Sequence, residues 1–186
     1  GGIRSSLMAI LNNIYNEYDI SIVVFSEDIS AEDIEYFSRR KIRAIEAGIL
    51  QNLIYTPGDY YVKKKRVVKI VLKGLIKLCI KLFSAKSMVA WSMKGLVKQL
   101  SNENFAAAIS FTNDIWFDGW CMPGCNYLVS AIIARQKIGW IHAELDYLGL
   151  DNEKSKNTYE DFNKVVCVSD ACRKEVMKAC TDLIGK

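Results

Sequence analysis

The segment KIGWIHAELDYLGLD at residues 137–151 decides the fold, together with NKVVCVSDACRKEV at residues 163–176. In each segment a short apolar run of strand length is followed by a polar residue. The first run leads into His142, the only histidine in the chain, and the second leads into Ser169, which can cap a helix. Because ligands of open α/β sheets bind beyond the carboxyl ends of the strands, His142 is a candidate site residue.

Predicted strands and helices alternate along the rest of the chain. Strands are predicted at residues 19–25, 105–111, 137–141 and 164–168, with weaker candidates at 41–44 and 52–55. Helices are predicted at residues 3–15, from Ala31 behind a Ser30 cap, at 61–83, 88–100 and 123–136, and after Ser169. This order is typical of a parallel sheet with helices on both faces, so we expect one Rossmann-like α/β domain over residues 1–186.

The composition is that of a soluble globular protein, with 51% hydrophobic and 25% charged residues. A net charge of +4 does not require a nucleic-acid partner, and we expect none. Six cysteines are present, but Cys121 and Cys125 have no second Cys/His pair to complete a metal site. We therefore expect small core cysteines in a reducing cytoplasm, without disulfides and without a metal.

Two loops are candidate ligand-binding segments besides the one at His142. Gly1 and Gly2 precede a helix and can let a phosphate approach backbone N–H groups, although a turn or a remnant of an expression tag explains them equally well. The loop at residues 112–124 combines carboxylates with aromatic rings, which suits a sugar, whereas its tryptophans can equally anchor it on the core. Its candidate residues are Asn113, Asp114, Trp116 and Asp118.

The third loop begins at His142 and continues with Glu144 and Asp146. An imidazole can donate or accept a hydrogen bond near neutral pH, and two carboxylates two residues apart can do acid–base work or orient a hydroxyl. The alternatives are a histidine satisfied within the core, and carboxylates in a solvated loop or helix cap.

A lysine recurs at every fourth position of the long basic helix predicted over residues 61–83. These lysines are Lys65, Lys69, Lys73, Lys77 and Lys81. Apolar residues on the opposite side are expected to pack on the sheet; they are Val67, Val71, Leu75, Leu78 and Leu82. The lysines exclude a transmembrane span and suit docking on an anionic membrane, with a solvated lysine face as the alternative.

WIHAELDYLGLD and YEDFNKVVCVSDACRKEV resemble the N-terminal domain of bacterial glycosyltransferase family 4 enzymes, and GGIRSSLMAILNNI resembles the Gly-Gly loop and first helix of that family. The resemblance implies a GT-B fold and metal-free, retaining transfer of a sugar from a nucleotide-sugar to a glycan or lipid-linked acceptor. It implies that Gly1, Gly2 and His142 bind the donor, with His142 at the reaction centre. It also implies that the loop at residues 112–124 holds the acceptor, and Glu144 and Asp146 are further candidates there.

The family pattern also has a first strand and a C-terminal donor-binding domain, the intramolecular partner that this sequence lacks. We therefore expect residues 1–186 to be the acceptor-side domain of a glycosyltransferase of cell-surface polysaccharide or glycolipid synthesis, inactive alone. We expect it in the cytoplasm, with peripheral contact at the inner face of the plasma membrane. The alternative is a non-catalytic Rossmann-like module that docks on a membrane or a partner. A dinucleotide-dependent oxidoreductase is disfavoured because the chain has no GxGxxG motif.

Overall fold

The structure is a computed structural model that describes residues 2–82, 85–112, 115–117, 120–122, 124–142 and 159–179. Its contacts group into two compact units, Gly1–Ser92 and Met93–Lys186. Each unit contains a short parallel sheet flanked by helices, so the α/β class predicted from the sequence is confirmed. The single domain predicted over residues 1–186 stays a prediction.

The first unit is built around a pair of parallel strands. Its elements are α1 (Gly2–Ile14), β1 (Ser21–Val24), α2 (Ala31–Arg39), β2 (Arg43–Glu46), α3 (Ile49–Tyr55), α4 (Gly58–Lys63), α5 (Val67–Leu82) and the start of α6 (Ala85–Ser101). Strand β1 pairs with β2 from Ser21 opposite Arg43 to Val24 opposite Glu46.

Helix α2 begins and ends where its sequence provides caps. The Ser30 hydroxyl accepts a hydrogen bond from the Asp33 backbone N–H at 3.1 Å, which confirms the predicted N-cap. At the other end Lys41 has φ 56°, and the Ile42 N–H donates to the Phe37 carbonyl at 2.9 Å. This pattern is a Schellman motif, and it seats Ile42 against Phe37 and Leu11 in the core of the unit.

The Arg4 guanidinium ties α1 to α2 through the buried carboxylate of Asp33. Arg4 Nε lies 3.0 Å from both Asp33 oxygens, and Nη2 lies 2.5 Å from Oδ1. These hydrogen bonds hold the pKa of Asp33 below the ordinary aspartate value. Because the lowered pKa belongs to the folded state, the pair stabilises the fold at neutral pH, and this contribution is lost as the pH falls through the folded-state pKa.

We expect Arg4→Ala to lose stability at pH 7, seen as a lower urea midpoint of unfolding, because the buried Asp33 carboxylate loses its hydrogen bonds to the guanidinium. The loss should shrink toward zero in acid, where Asp33 is protonated in both proteins. Urea unfolding at several pH values measures both effects. Arg39→Ala is the control, because the exposed Arg39–Glu35 pair should change stability by less than about 0.5 kcal/mol. An Arg4→Ala loss that is independent of pH would contradict this account.

Two predicted elements of the first unit are wrong. Residues 52–55 belong to helix α3 and not to a strand, because a short apolar run fits either structure and here it continues a helical turn that begins at Ile49. The helix predicted over residues 61–83 is two helices. A second Schellman motif ends α4, with Lys65 at φ 53° and the Arg66 N–H donating to the Tyr61 carbonyl at 2.9 Å.

The second unit contains a three-stranded parallel sheet and a small antiparallel hairpin. Its elements after α6 are β3 (Phe105–Ser110), β4 (Ile115–Phe117), β5 (Trp120–Met122), α7 (Cys125–Ala131), β6 (Ala134–Ile141), β7 (Lys164–Cys167) and α8 (Asp170–Ala179). The sheet order is β3–β6–β7, so the three strands predicted here are confirmed and β6 is central.

Two boundaries in the second unit differ from the prediction. Helix α7 ends at Ala131 and not at residue 136, because the chain from Ala134 onward pairs with β3, beginning opposite Phe105. The predicted loop at residues 112–124 includes the β4–β5 hairpin. In the sequence, Asp118-Gly119 separates the two strands. Asp-Gly is favoured in two-residue hairpin connections, so this dipeptide is the sequence signal for the hairpin.

Aromatic side chains cover one face of the central strand β6. A Cβ atom added at Gly139 would lie 2.9 Å from the Tyr159 ring and 3.2 Å from the Phe162 ring. Ile141 is fully buried, and both rings are 1% exposed. Asn163 contacts the middle of the strand, since its Oδ1 accepts the Lys137 N–H at 2.7 Å. These contacts fix the position of β6, and therefore the position of His142, which directly follows the strand.

Candidate functional site

The carboxyl edge of the three-stranded sheet gathers polar groups from all three strands. Strand β3 ends at Ser110, β6 ends at Ile141 directly before His142, and β7 ends shortly before Ser169. The strands are parallel, so these ends lie at one edge of the sheet. His142 follows the central strand and is therefore flanked by the ends of the other two.

The imidazole of His142 is half-buried and held by a hydrogen bond. Its Nε2 lies 2.8 Å from the backbone carbonyl oxygen of Phe111, the residue that follows β3. A carbonyl oxygen only accepts, so Nε2 carries the proton in this contact. In the neutral ring Nδ1 is then the hydrogen-bond acceptor.

Two aromatic rings set the plane of the imidazole. The His142 ring stacks on Trp140 with an interplanar angle of 11° and a centroid distance of 6.1 Å. Phe111 meets it edge-on at 5.1 Å. Side chains alternate between the two faces of a strand, so Trp140 and His142 lie on one face. Gly139 and Ile141 lie on the other face, the one that Tyr159 and Phe162 cover. The ring is thus both held within the structure and partly exposed at the sheet edge.

Sequence reasoning missed a buried polar pair at the same edge. The Ser110 side chain is fully buried, and its hydroxyl donates to Asn126 Oδ1 in α7 at 2.5 Å. Thr112 Oγ1 lies 2.9 Å from Cys125 Sγ, a second link between the end of β3 and the start of α7. The sequence signal for this pair is a serine at the end of an apolar strand, followed by an asparagine in the first turn of the next helix. The pairs tie α7 to the carboxyl end of β3.

The end of β7 leads into a capped helix, as predicted. The Ser169 hydroxyl accepts the Cys172 backbone N–H at 3.1 Å. Burial raises the pKa of the Cys172 thiol to about 12 and also raises the pKa of Cys167. Both thiols are therefore protonated at neutral pH, which makes them unsuitable as nucleophiles.

The remaining predicted site residues lie elsewhere or outside the described residues. Gly2 is the first residue of α1, so it belongs to a helix where a loop was expected. Trp116 lies in β4, with its backbone opposite Cys121. The predicted site residues outside the described part of the chain are Gly1, Asn113, Asp114, Asp118, Glu144 and Asp146. The proposed meeting of these residues with His142 stays a prediction.

Helix α5 turns some of its predicted membrane-docking lysines inward. Lys69 Nζ pairs with a carboxylate oxygen of Glu27, and Lys73 Nζ donates to the carbonyl oxygens of Ile54 at 3.2 Å and Thr56 at 2.5 Å. Lys65 precedes the helix and is exposed. The side chains of Lys77 and Lys81 are outside the described part of the structure.

The apolar side of α5 is correspondingly exposed, so its predicted packing on the sheet is wrong for the residues described. Val67, Val71, Leu75 and Leu78 are between 51% and 66% exposed. The reason is that Glu27 and the C-terminal carbonyls of α3 attract the ammonium groups, and this rotates the lysines toward the protein.

Comparison of the chain with protein-family models, with curated proteins and with solved structures finds no match. Within the described residues, no group of three or more His, Cys, Asp or Glu side chains is placed to hold a metal ion.

Proposed function

We propose that this chain is the acceptor-side domain of a retaining glycosyltransferase with the GT-B fold. It would take part in the transfer of a sugar from a nucleotide-sugar to a glycan or lipid-linked acceptor, in the synthesis of a cell-surface polysaccharide or glycolipid. The observation that carries the proposal is the position of His142, an oriented imidazole at the carboxyl end of the central strand of a parallel sheet. The sequence resemblance at residues 137–176 supports the same activity.

His142 has the hydrogen-bonding capacity that the proposal needs. With Nε2 donating to the Phe111 carbonyl, Nδ1 of the neutral ring can accept a hydroxyl proton of the donor sugar. Protonation would turn the same nitrogen into a donor toward a phosphate oxygen. Because the ring is already oriented by Trp140 and Phe111, sugar binding would not have to fix its rotamer. Asn113, Asp114, Trp116, Asp118, Glu144 and Asp146 are proposed on the acceptor side.

The test is binding of nucleotide-sugars to the intact chain and to His142→Ala. We expect His142→Ala to weaken binding of the recognised nucleotide-sugar by up to about tenfold, the equivalent of one lost hydrogen bond. The same variant should bind the matching nucleotide diphosphate without its sugar as the parent does. Asn104→Ala is the control, because Asn104 is an exposed polar residue just before β3, at the opposite end of the strand from the site. Unchanged affinity for the sugar nucleotide in His142→Ala would overturn the proposed contact.

A non-catalytic docking module is the second candidate, and the exposure of the apolar side of α5 favours it. Such a module would make no contact with a donor sugar through His142. A panel of uridine, guanosine and adenosine diphosphate sugars at high concentration, followed by the NMR signals of His142 in the folded chain, separates the two candidates.

A further inference from the structure

We propose that α5 docks this chain on an anionic membrane surface through its exposed apolar side. This α5 apolar face consists of six residues: Val67, Val68, Val71, Leu72, Leu75 and Leu78. Their exposed fractions range from 40% to 71%, which is high for large aliphatic side chains that share one helix. A contiguous apolar surface of this kind is typical of an interaction site.

The six residues form one stripe along the helix. At ~100° per residue they fall within an arc of ~140°, with Val67 and Leu72 at its two borders. Lys69, Lys73 and Ile76 lie on the other side, and Ile76 is only 9% exposed. The contacts of Lys69 with Glu27 and of Lys73 with the end of α3 hold this orientation. The α5 apolar face is therefore directed away from the elements that anchor the helix.

Charge identifies the kind of surface that fits this stripe. The four residues before α5, Lys63 to Arg66, are all basic and exposed, and two of them are in ion pairs, Lys63 with Asp59 and Arg66 with Glu27. Between Asp59 and the end of the first unit at Ser92 the sequence has nine lysines and arginines and no aspartate or glutamate, and two of the nine, Lys69 and Lys73, face inward. An apolar stripe beside a cluster of cations is complementary to a bilayer with anionic headgroups, since the cations meet the phosphates while the aliphatic side chains enter the interface.

The geometry suits a helix that lies in the interface. No helix in the described part of the chain combines the length and the apolar character needed to cross a bilayer. A docking helix of the first unit does not depend on sugar transfer, so this proposal is independent of the proposed function. A negative result in the nucleotide-sugar binding assay would leave the membrane proposal standing, and a negative result in the vesicle assay would leave the proposed function standing.

Sedimentation with vesicles tests the docking surface. The 186-residue chain should bind vesicles of phosphatidylcholine and phosphatidylserine and bind pure phosphatidylcholine vesicles at least about tenfold more weakly. Val71→Glu/Leu75→Glu should reduce the partition coefficient about tenfold or more, because it places two carboxylates within the stripe. The control is Ile34→Glu on α2, since Ile34 is 54% exposed and matches Leu75 at 51%.

A second pair of variants tests the cations. Lys64→Gln/Lys65→Asn should weaken binding to the anionic vesicles several-fold. Asparagine is chosen because Lys65 has a positive φ that asparagine tolerates. Lys41→Asn/Lys178→Gln is the matched control, since Lys41 has nearly the same backbone conformation and the same charge is removed elsewhere. Far-UV circular dichroism verifies that each variant is folded.

Three results would overturn the proposal. The first is that the parent chain does not bind anionic vesicles, and the second is that Val71→Glu/Leu75→Glu binds as well as the parent. The third is self-association that this double variant abolishes without any vesicle binding, which would assign the α5 apolar face to a second copy of the chain.

Discussion

Gly139→Ala is expected to lower the free energy of unfolding by about 2 kcal/mol, a large loss for the addition of one methyl group. The new Cβ would lie 2.9 Å from two ring carbons of Tyr159 and 3.2 Å from Phe162. Both rings are 1% exposed, so neither can move without disturbing its own packing. Chemical denaturation followed by circular dichroism measures the loss.

Gly95→Ala is the control for the glycine change. Gly95 lies in α6 with no atom near its added Cβ, so alanine should raise stability by about 0.5–1 kcal/mol through helix propensity. Gly139→Ala combined with Tyr159→Leu should lose less than the two single variants together, because the smaller side chain relieves the overlap. If Gly139→Ala were as stable as the parent, Tyr159 would not be seated over β6, and the support for His142 from that face would be absent.

Lys73→Glu is expected to lower the free energy of unfolding by about 2–3 kcal/mol. The ammonium group donates to the carbonyl oxygens of Ile54 and Thr56, at the C-terminal end of α3. A carboxylate there would leave both carbonyls without this donor and would place a negative charge at the negative end of the helix dipole. Urea unfolding of the variant measures the effect.

Lys64→Glu is the comparison, because it makes the same charge change at an exposed residue ahead of the same helix. We expect that variant to differ from the parent by less than about 0.5 kcal/mol. Equal losses for the two variants would contradict the inward orientation of Lys73 and, with it, the outward orientation of the α5 apolar face.

Much of the local structure follows from short-range chemistry. Ser30 and Ser169 cap their helices as predicted, because a hydroxyl before a helix can accept a nearby N–H whatever the rest of the fold does. The strands around residues 105–111, 137–141 and 164–168 were predictable from apolar runs of strand length. The position of His142 at the end of β6 followed from those runs.

Long-range contacts decide what the sequence pattern leaves open. The lysine periodicity of α5 was compatible with either face turned outward, and Glu27, some 40 residues earlier, decides the orientation. The hydrogen bond from His142 to the Phe111 carbonyl joins residues 31 positions apart, so it depends on the pairing of β3 with β6. The helical turn at residues 52–55 depends on the residues before it, which a four-residue apolar window does not include.

The most direct test of the central claim is the imidazole NMR spectrum of His142, whose signals are unambiguous because the chain has one histidine. In the ligand-free chain, the hydrogen bond to the Phe111 carbonyl predicts a proton on Nε2. The proposed function further predicts that one nucleotide-sugar shifts the Nδ1 resonance while its nucleotide diphosphate alone shifts it less. If the imidazole resonances stayed unchanged with every nucleotide-sugar while the chain remained folded, His142 would not contact a donor sugar and the proposed function would be contradicted.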